Sequence, residues 1–375
     1  AWIVGGAPRD GLLGWSAPDV DVAVAGDVER LARELQARGF GTAVAISEGS
    51  PRVFRVAGRL ALDLAELEGD SIEEDLARRD FTANAIAIEL ATGKWIDPFD
   101  GARDLCRRRL RLVRESNLEE DPLRAFRAAR FYATHGLCPD RQTRQACLAV
   151  APRLAEAAAE RVQAELSRML EAPRVGPAFR WARRAGLLSP ALGIAAAPAG
   201  WDRAARILSR LDAAAARLPA ARRRLLRLAA IGAGLRMSPA EAARWLRRRR
   251  HSRPEAGAAA SLIELSGRAA RAREPGGRWA WIHDAGPLAQ DALALLEASD
   301  PRQAPLAIGL RRLLARRRRR PQVTGADLLG WLALPPGPRV GELLRQVRIE
   351  ILRGAVRTRG QARHFLLGKQ NLPAG

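Results

Sequence analysis

The sequence is poor in the residues that build disulfide frameworks and zinc sites. It has three cysteines and four histidines among 375 residues, and Cys106, Cys138 and Cys147 form no C-x-x-C pair. A zinc site needs several Cys or His ligands at short spacing, and a disulfide framework needs an even set of cysteines. The sequence therefore predicts neither a zinc site nor a disulfide-stapled fold.

Long apolar runs are missing from the sequence as well. No stretch approaches the roughly 20 apolar residues of a membrane helix, and no secretory signal peptide is visible. The sequence thus predicts a cytoplasmic protein with no membrane contact. The chain begins without Met, directly in a predicted strand, which indicates a processed or truncated N-terminus. Its 375 residues, of which 47% are hydrophobic, are enough for two or more domains.

Lysine is nearly missing, so the net charge of +22 comes from arginine; Lys94 and Lys369 are the two lysines present. The charge is unevenly distributed, because residues 1–100 hold ten basic against eighteen acidic residues. An arginine-biased proteome would add arginine everywhere and does not explain an acidic N-terminal part. The asymmetry indicates a metal-using catalytic unit followed by a unit that binds a polyanion.

The N-terminal stretch carries a pattern typical of phosphate binding. Residues 2–4 predict a short buried strand, and Gly5-Gly6 ends it before a helix that begins near Pro8 and stops at Gly14. A glycine-rich turn before a helix offers free backbone N–H groups and the positive end of the helix dipole. This arrangement suits an anion such as a triphosphate.

Asp19 and Asp21 follow in a predicted strand, so both carboxylates point to the same face. Adjacent carboxylates repel each other unless a cation lies between them. Mg²⁺ held by carboxylates and phosphate oxygens is the usual solution in phosphoryl chemistry. A pair of solvated turn aspartates is the alternative, but the valines around the pair favour a real strand. The pattern predicts Asp19 and Asp21 as ligands of Mg²⁺.

The pattern Gly-Gly-x-x-Arg-Asp, followed by Asp-x-Asp, resembles the signature of the class II tRNA nucleotidyltransferase and bacterial poly(A) polymerase family. A second block, Arg-Arg-Asp-Phe-Thr-Ala-Asn-Ala at residues 78–85, is similar to another motif of that family almost letter for letter. It supplies a guanidinium for phosphate, and a carboxylate and an amide suited to ribose hydroxyls. The turn Asp-Pro-Phe-Asp-Gly at 97–101 matches the family too.

The resemblance implies an α+β fold, with a mixed β-sheet nucleotidyltransferase head followed by an elongated all-α neck, body and tail. It places the catalytic head at residues 1–105 and a helical neck that selects the base at 106–172. An RNA-binding body at 173–300 and a tRNA-binding tail at 301–375 complete the predicted chain.

The Glu-Asp-x-x-Arg pattern ending at Arg124 resembles the family's nucleotide-selecting motif. Asp121 and Pro122 predict a helix start, and Arg127 and Arg130 continue the face of Arg124. Without the resemblance, this pattern would predict an ordinary capped helix with a row of solvated arginines. Cytosine and adenine both present an amino donor beside a ring-nitrogen acceptor, which a carboxylate and a guanidinium can pair. Uracil and guanine place a carbonyl where the amino group should be, so one Asp–Arg pair can accept C and A while rejecting U and G.

The resemblance implies template-independent transfer of a nucleotide from an NTP to the 3′ end of tRNA, with release of pyrophosphate. Mg²⁺ on the aspartate pair would activate the 3′-hydroxyl and stabilise charge on the triphosphate. The glycine turn and Arg9 would hold the phosphates with help from Arg79, and Asp121 and Arg124 would select the base. The implied nucleotide site consists of Gly5, Gly6, Arg9, Arg79, Asp80, Asn84, Asp121, Arg124, Arg127 and Arg130.

Further features are less specific. Asp63, in a predicted strand at 60–64, is a candidate third catalytic carboxylate near the metal or a strand-end residue facing solvent. Residues 159–166 resemble a family motif whose helix supports the base-selecting site, and residues 324–341 resemble the C-terminal motif of bacterial members. The arginine runs at 247–250 and 316–320 are candidate phosphate contacts or solvated faces.

His283-Asp284 raises the possibility of an HD-type phosphohydrolase, which some relatives carry. That chemistry needs further His and Asp ligands at set positions. The four scattered histidines supply no evident set, so the sequence disfavours this activity.

One departure from the family concerns a loop. Members that build the whole CCA end carry a longer flexible stretch before the Arg-Arg-Asp helix, and it helps the site change from CTP to ATP. Here only residues 65–70 separate the predicted strand from the helix cap at Ser71. The resemblance therefore implies an enzyme that adds the two C residues of CCA from CTP.

Three alternatives stay open. The first is a full CCA-adding enzyme that uses CTP and ATP. The second is a poly(A) polymerase, although the basic segment that marks those enzymes has no match in the chain. The third is a non-catalytic RNA-binding module, which the presence of every polar site residue disfavours. No obligate protein partner is evident in the sequence.

Overall fold

The computed structural model describes residues 1–370 except residues 18, 48, 50, 273 and 316–320. The arginine run at 316–320, a candidate phosphate contact, lies outside the described residues. The chain divides into two compact units, Ala1–Ala197 and Pro198–Gly375. Among the helices described, none is both long and apolar enough to cross a membrane.

The first unit contains one mixed β-sheet and a separate two-residue ladder. Its strands are β1 (Trp2–Val4), β2 (Asp19–Val24), β3 (Gly41–Ser47), β4 (Val53–Gly58), β5 (Ala61–Glu66), β6 (Ala87–Glu89), β7 (Trp95–Ile96), β8 (Arg109–Leu110) and β9 (Cys138–Pro139). The main sheet has the strand order β3-β4-β5-β2-β1-β6-β7. In that sheet β2 and β5 run parallel, and the other neighbouring pairs run antiparallel.

Side-chain caps start several of the helices of the first unit. Asp27 accepts hydrogen bonds from the N–H groups of Glu29 and Arg30 and starts α2, while Ser71 accepts from Glu74 and starts α3. The helices are α1 (Gly6–Leu12), α2 (Val28–Ala37), α3 (Ile72–Ala77), α4 (Gly101–Cys106), α5 (Ser116–Glu120), α6 (Leu123–His135), α7 (Arg141–Val150), α8 (Ala159–Glu171), α9 (Gly176–Arg184) and α10 (Leu188–Leu192).

Two apolar clusters cover the two faces of the main sheet. On one face Val22 and Val24 of β2 pack with Val28 of α2. On the other face Ala23 packs with Ile72 and Leu76 of α3. Because side chains alternate along a strand, Asp19 and Asp21 share the face of Ala23. The sheet therefore presents both carboxylates on the side where α3 lies.

The second unit is helical in its described part. Its C-terminal helices pack around Leu328, Val347 and Leu366, and a capping box between Thr324 and Asp327 starts one of them. The helices are α11 (Pro198–Ala215), α12 (Ala220–Gly234), α13 (Pro239–Arg248), α14 (Arg253–Arg271), α15 (Pro275–Ala285), α16 (Ala289–Ser299), α17 (Ala304–Ala315), α18 (Gly325–Leu332), α19 (Pro338–Arg353) and α20 (Arg359–Gln370).

This architecture confirms the α+β class, with a mixed-sheet head followed by helices. One detail differs from the expected all-α region after the head, because β8 pairs in parallel with β9 on either side of α6. Two residues per strand are too few to produce a periodic signal in the sequence. The division into four domains at 105, 172 and 300 stays a prediction.

Candidate active site

The turn between β1 and α1 brings the backbone against two charged side chains. Gly5 has φ +72°, in the left-handed region that glycine adopts without strain. A Cβ there would lie 2.6 Å from Oδ2 of Asp21 and 3.2 Å from Nη1 of Arg79. The backbone N–H of Gly6 donates to Asp21. Gly5 is therefore required for this close approach to the carboxylate.

Asp19 and Asp21, the predicted metal ligands, are both exposed on β2. Desolvation within the cleft raises the pKa of Asp21; Arg79 opposes this shift, and the negative charges of Asp63 and Asp19 add to it. Carboxylates crowded in this way favour a bound cation. Among the residues described, no three His, Cys, Asp or Glu side chains converge on a possible metal position. A cation here would take further oxygens from phosphate or water, as Mg²⁺ usually does.

Asp63 lies beside Asp21 in the parallel register of β2 and β5. Arg55, opposite Asp63 on β4, donates to both of its carboxylate oxygens, with Nε–Oδ1 at 2.7 Å and Nη2–Oδ2 at 2.5 Å. The structure therefore brings Asp63 next to the aspartate pair but with an arginine already bound. A catalytic role for Asp63 stays a prediction.

A cleft of about 700 Å³ opens beside the aspartate pair. Seven arginines and seven carboxylates line it together with the glycine turn, so both a polyanion and a cation find partners there. The lining residues are Gly5, Gly6, Arg9, Asp10, Asp19, Asp21, Glu68, Asp75, Arg78, Arg79, Asp80, Asn84, Glu120, Arg124, Arg127, Arg130, Phe131, His135 and Arg168.

A connected polar network in this cleft joins three buried side chains, Arg9, Asn84 and Asp80, to the partly exposed Arg127. Nη1 of Arg9 donates to Oδ1 of Asn84 at 2.7 Å, and Nδ2 of Asn84 donates to Oδ1 of Asp80 at 2.8 Å. Nη2 of Arg127 lies 3.1 Å from Oδ2 of Asp80. Burial opposes ionisation of Asp80, but Arg127, Asn84 and the N–H of Phe81 together hold its pKa below the usual value.

Arg79, the predicted phosphate contact, is held by a neighbouring carboxylate. Its Nη2 donates to Oδ2 of Asp75 at 2.8 Å, one helical turn earlier. Asn117 fixes the backbone around it, because Nδ2 donates to the carbonyls of Ala77 and Arg79 at 2.8 and 2.7 Å. No local pattern in the sequence predicts this role of Asn117, since its partners lie about 40 residues away.

Asp121 and Arg124, the predicted base-selecting pair, both already have partners within the protein. Oδ2 of Asp121 accepts from Nη2 of Arg161 at 2.6 Å, and Oδ1 accepts from the N–H of Leu123 at 3.3 Å. Nη1 of Arg124 donates to the carbonyl of Arg78 at 2.8 Å. Arg124 is among the residues that line the cleft, and Asp121 is not. Asp121 thus accepts the hydrogen bond expected of an N-cap residue. The first residue of α6 is Leu123, one residue later than the predicted Pro122.

Arg127 and Arg130 lie on the cleft side of α6, as the spacing predicts. Nε of Arg130 donates to Oε2 of Glu165 on α8, and its guanidinium lies 4.0 Å from the ring centre of Phe131. Asp80 raises the pKa of Arg127, and burial lowers that of Arg130. The predicted supporting helix at 159–166 thus contacts the predicted site through Glu165.

A cluster at the far end of α6 was not predicted from the sequence. Nε2 of His135 lies 3.4 Å from Oδ1 of Asp10, and the ring of Trp15 stacks on His135 at 5.1 Å. Burial lowers the pKa of His135 below its usual value. Asp10 also accepts from Nε of Arg9 at 2.8 Å. The cluster therefore anchors the arginine that reaches Asn84.

The turn between β5 and α3 is shorter than predicted, and a backbone N–H at each end donates a hydrogen bond. Four residues, 67–70, separate β5 from the cap at Ser71. The N–H of Leu67 donates to Val24 at 3.0 Å, and that of Asp70 donates to Glu74 at 2.8 Å. Gly69 has φ +99°, and a Cβ there would lie 2.5 Å from Oε2 of Glu74. Close contacts therefore occupy the position where a longer loop would emerge.

His283-Asp284, the pair considered for an HD-type phosphohydrolase, lies on α15 of the second unit. Asp284 pairs with Arg268 and Arg345 at 2.5 and 2.8 Å, and Oδ1 contacts Nδ1 of His283 at 3.1 Å. The arginines hold the pKa of Asp284 well below its usual range. Because arginine occupies this carboxylate and the described residues show no metal cluster, the geometry gives the HD activity no support.

The combination of an aspartate pair on a strand, a phosphate-type turn and an arginine-rich cleft on a mixed sheet is typical of nucleotidyltransferases. Comparison with known families agrees with this class. Residues 1–111 match the Poly A polymerase head domain. Residues 136–196 match the family described as probable RNA and SrmB-binding site of polymerase A.

One relative and one crystal structure match nearly the whole chain, and a second relative matches half of it. A CC-adding tRNA nucleotidyltransferase of Geobacter sulfurreducens is 34% identical over 99% of this chain and 92% of its own length. An A-adding tRNA nucleotidyltransferase of Deinococcus radiodurans is 41% identical over 50% of this chain and 44% of its own. The crystal structure of the Bacillus stearothermophilus CCA-adding enzyme in complex with CTP matches at a TM-score of 0.75 and 27% identity, covering 98% of this chain and 92% of that one.

The chain therefore belongs to the class II tRNA nucleotidyltransferase and poly(A) polymerase family, and it is a nucleotidyltransferase enzyme. The membership that the motifs predict is confirmed. Enzymes of this class generally use a divalent metal ion. The roles of the individual site residues stay predictions.

Proposed function

We propose that the protein adds the two C residues of the CCA end to the 3′ end of tRNA, without a template, using CTP and releasing pyrophosphate. The tied turn at 67–70 is the observation that carries this proposal. Glu68 of this turn lines the cleft. The turn has only four residues, and hydrogen bonds hold both of its ends. A site that must change from C to A needs a movable element at this place, and this chain has a fixed one.

Asp19 and Asp21 would hold the Mg²⁺ ion. The two carboxylates share one face of β2, and their mutual repulsion is relieved when a cation binds. When bound, the ion would lower the charge on the triphosphate and increase the acidity of the attacking 3′-hydroxyl. The chain's own contribution is to hold both carboxylates rigidly, through the N–H of Gly6 and through strand pairing on both sides of β2.

The phosphates of the nucleotide would be held by Gly5, Gly6, Arg9 and Arg79. Both glycines line the cleft at the N-terminal end of α1, and both guanidiniums line it too. Each arginine is anchored by a carboxylate, Asp10 or Asp75. Anchored donors need little reorganisation when a polyphosphate arrives, and this preorganisation favours transfer.

Asp80 and Asn84 would face the ribose. Oδ2 of Asp80 is buried and accepts no well-aligned hydrogen bond from the described part of the chain, although Arg127 lies near it. A buried acceptor without a donor costs free energy. A ribose hydroxyl that enters the cleft would satisfy this oxygen, and the network through Asn84 to Arg9 would link the sugar site to the phosphate site.

Asp121 and Arg124 would select the base by accepting from the amino group and donating to the ring nitrogen of cytosine. Arg124 already lies in the cleft wall, and its guanidinium has further N–H groups beyond those bonded to backbone carbonyls. Because this pair also matches adenine, the fixed turn and not the pair would limit the enzyme to C. A full CCA-adding activity is the second candidate, since a CCA-adding enzyme shares the fold over nearly the whole chain.

Incorporation of single nucleotides tests the proposal. A tRNA that lacks its CCA end is incubated with CTP alone, ATP alone or both, and the added residues are counted on a sequencing gel. We expect two C residues with CTP and none with ATP. An unrelated single-stranded RNA serves as the control, and a long A tail on it would favour a poly(A) polymerase. Absence of incorporation with every nucleotide would overturn the proposal.

A further inference from the structure

We propose that Arg55 limits the number of carboxylates in the metal site: it holds Asp63 in an ion pair and so keeps this aspartate from binding the cation. The inference rests on the proposed position of Mg²⁺ at Asp19 and Asp21. It makes Arg55, which belongs to none of the sequence motifs, a positioning residue that acts on the metal site through Asp63.

Three charged side chains lie side by side across neighbouring strands of the sheet. Asp21 of β2 is the register partner of Asp63 on β5, and Asp63 is the partner of Arg55 on β4. Register partners project from the same face of a sheet, and neighbouring strands lie about 4.7–4.9 Å apart. The same three residues line a cavity of about 490 Å³. A free carboxylate at Asp63 could therefore share a cation with Asp21.

The ion pair with Arg55 places the carboxylate of Asp63 poorly for a cation. Nε and Nη2 of Arg55 donate to Oδ1 and Oδ2 of Asp63 at 2.7 and 2.5 Å, and such a two-point contact fixes the plane of the carboxylate. Because β4 and β2 lie on opposite sides of β5, this contact turns the carboxylate away from Asp21. In agreement, no three His, Cys, Asp or Glu side chains of the described residues converge on a metal position.

A site without this further carboxylate suits the proposed reaction. Mg²⁺ requires nearly octahedral coordination, and in phosphoryl chemistry it is typically bound by one or two carboxylates together with substrate phosphates and water. Each further carboxylate takes a position that the triphosphate or the 3′-hydroxyl needs. Arg55 thus keeps a coordination position open for the substrates, and its positive charge also lowers the affinity of the nucleotide-free protein for a cation.

An ion pair that only joins β4 to β5 is the alternative explanation. The side chain of Arg55 is 44% exposed and that of Asp63 is 18% exposed, and ion pairs in contact with water stabilise a fold little. Loss of Arg55 should therefore leave the melting temperature nearly unchanged. A purely structural pair would leave the coordination of a bound metal ion unchanged as well, so metal binding separates the two explanations.

The test measures binding of Mn²⁺, a paramagnetic substitute for Mg²⁺, to the full chain without nucleotide by electron paramagnetic resonance. Arg55→Ala should bind Mn²⁺ about tenfold more tightly, because the number and charge of the ligands set the affinity of such sites. The bound ion should also keep fewer water molecules, since Asp63 replaces water. Both changes should disappear when Arg55→Ala is combined with Asp63→Asn.

Arg52→Ala is the matched control. Nε of Arg52 donates to Oε1 of Glu66 on β5 at 2.6 Å, and Arg52 is exposed to nearly the same extent as Arg55. Glu66 is the register partner of Val24, so this pair lies on the opposite face of the sheet from Asp21. The substitution removes the same charge without freeing a carboxylate beside the metal position, and Mn²⁺ affinity should match that of the wild type.

The outcomes separate this inference from the proposed function. If Asp21→Asn abolishes Mn²⁺ binding and Arg55→Ala leaves it unchanged, the inference is overturned while the proposed metal position stands. If Asp21→Asn leaves Mn²⁺ binding unchanged, both fail. A gain in affinity that persists in the double variant also overturns the inference, since Asp63 is then not the added ligand. If circular dichroism shows the alanine variant to be unfolded, Arg55→Gln is judged by the same criteria.

Discussion

Arg9 and Asn84 are 75 positions apart in the sequence, and their side chains meet in a hydrogen bond of 2.7 Å. The contact joins the glycine turn of the first motif to the Arg-Arg-Asp block of the second. Through Asp80 the same network reaches Arg127 on α6, three residues after the Glu-Asp-x-x-Arg pattern. Three segments that are separate in the sequence therefore form one polar unit in the cleft.

Replacement of either cleft aspartate on β2 tests the metal site. Asp19→Ala or Asp21→Ala should abolish CMP transfer, because each removes a carboxylate from the proposed Mg²⁺ position. The melting temperature should change little, since both side chains are exposed. The control is Asp70→Ala, which removes an exposed carboxylate from the turn before α3. Near-normal transfer by either β2 variant at saturating Mg²⁺ would show that the ligands are assigned wrongly.

A methyl group at Gly5 tests the close approach of the turn to Asp21. Gly5→Ala should reduce transfer strongly, because φ is positive and the added Cβ would lie 2.6 Å from the carboxylate. Gly11→Ala in α1, the helix after this turn, meets no atom within 4 Å and should be neutral or stabilise by about 0.5–1 kcal/mol. Rates and urea unfolding measure both effects. Equal activity of the two variants would contradict the account of the turn.

The buried carboxylate of Asp80 should make stability depend on pH. Its folded-state pKa lies below the usual value of 3.8, so its contribution is present above about pH 4 and is lost as the pH falls through the lower folded value. Asp80→Asn should cost about 2–3 kcal/mol at pH 7, because Arg127 loses its counter-ion but is partly exposed.

Urea unfolding at pH 7 and pH 3 measures this dependence. The difference in unfolding free energy between Asp80→Asn and the wild type should shrink at the lower pH. Asp70→Asn, on the surface, is the control and should follow the wild type at both values. A difference that stays constant with pH would mean that Asp80 is not the charged group that the network implies.

Substitution of arginines at the end of α13 tests the prediction that the second unit binds a polyanion. Arg247 and Arg248 are exposed, and replacing both by Ala should weaken tRNA binding and flatten its salt dependence. The slope of log Kd against log salt should fall by about one to two, because fewer counterions are released. Affinity for CTP should be unchanged. Arg30 and Arg33 of the acidic head serve as the control pair. An unchanged salt slope in the α13 double variant would show that Arg247 and Arg248 are solvated and do not contact phosphate.

Much of the head could be predicted because its signals are local. The valines around Asp19 and Asp21 encode a strand with both carboxylates on one face, and the structure has that strand. The helix at 123–135 follows the predicted arginine spacing for the same reason. Both features depend on neighbours within a few residues, where periodicity and capping rules apply.

Partners from distant segments could not be predicted. Arg55 binds Asp63 because an antiparallel register places them opposite each other. Arg161 binds Asp121 because α8 packs on α6, 40 residues further along the chain. Neither register nor helix packing can be read from a single sequence with enough accuracy to pair individual side chains. The sequence therefore predicted candidate site residues and left their partners unknown.

The length of the product formed from CTP and ATP together tests the central claim most directly. The unmodified protein is incubated with tRNA that lacks its CCA end and with both nucleotides, and the added residues are identified by mass. The account predicts extension by two C residues and then a stall, because the turn at 67–70 is fixed. Efficient formation of the complete CCA end would contradict the restriction to C.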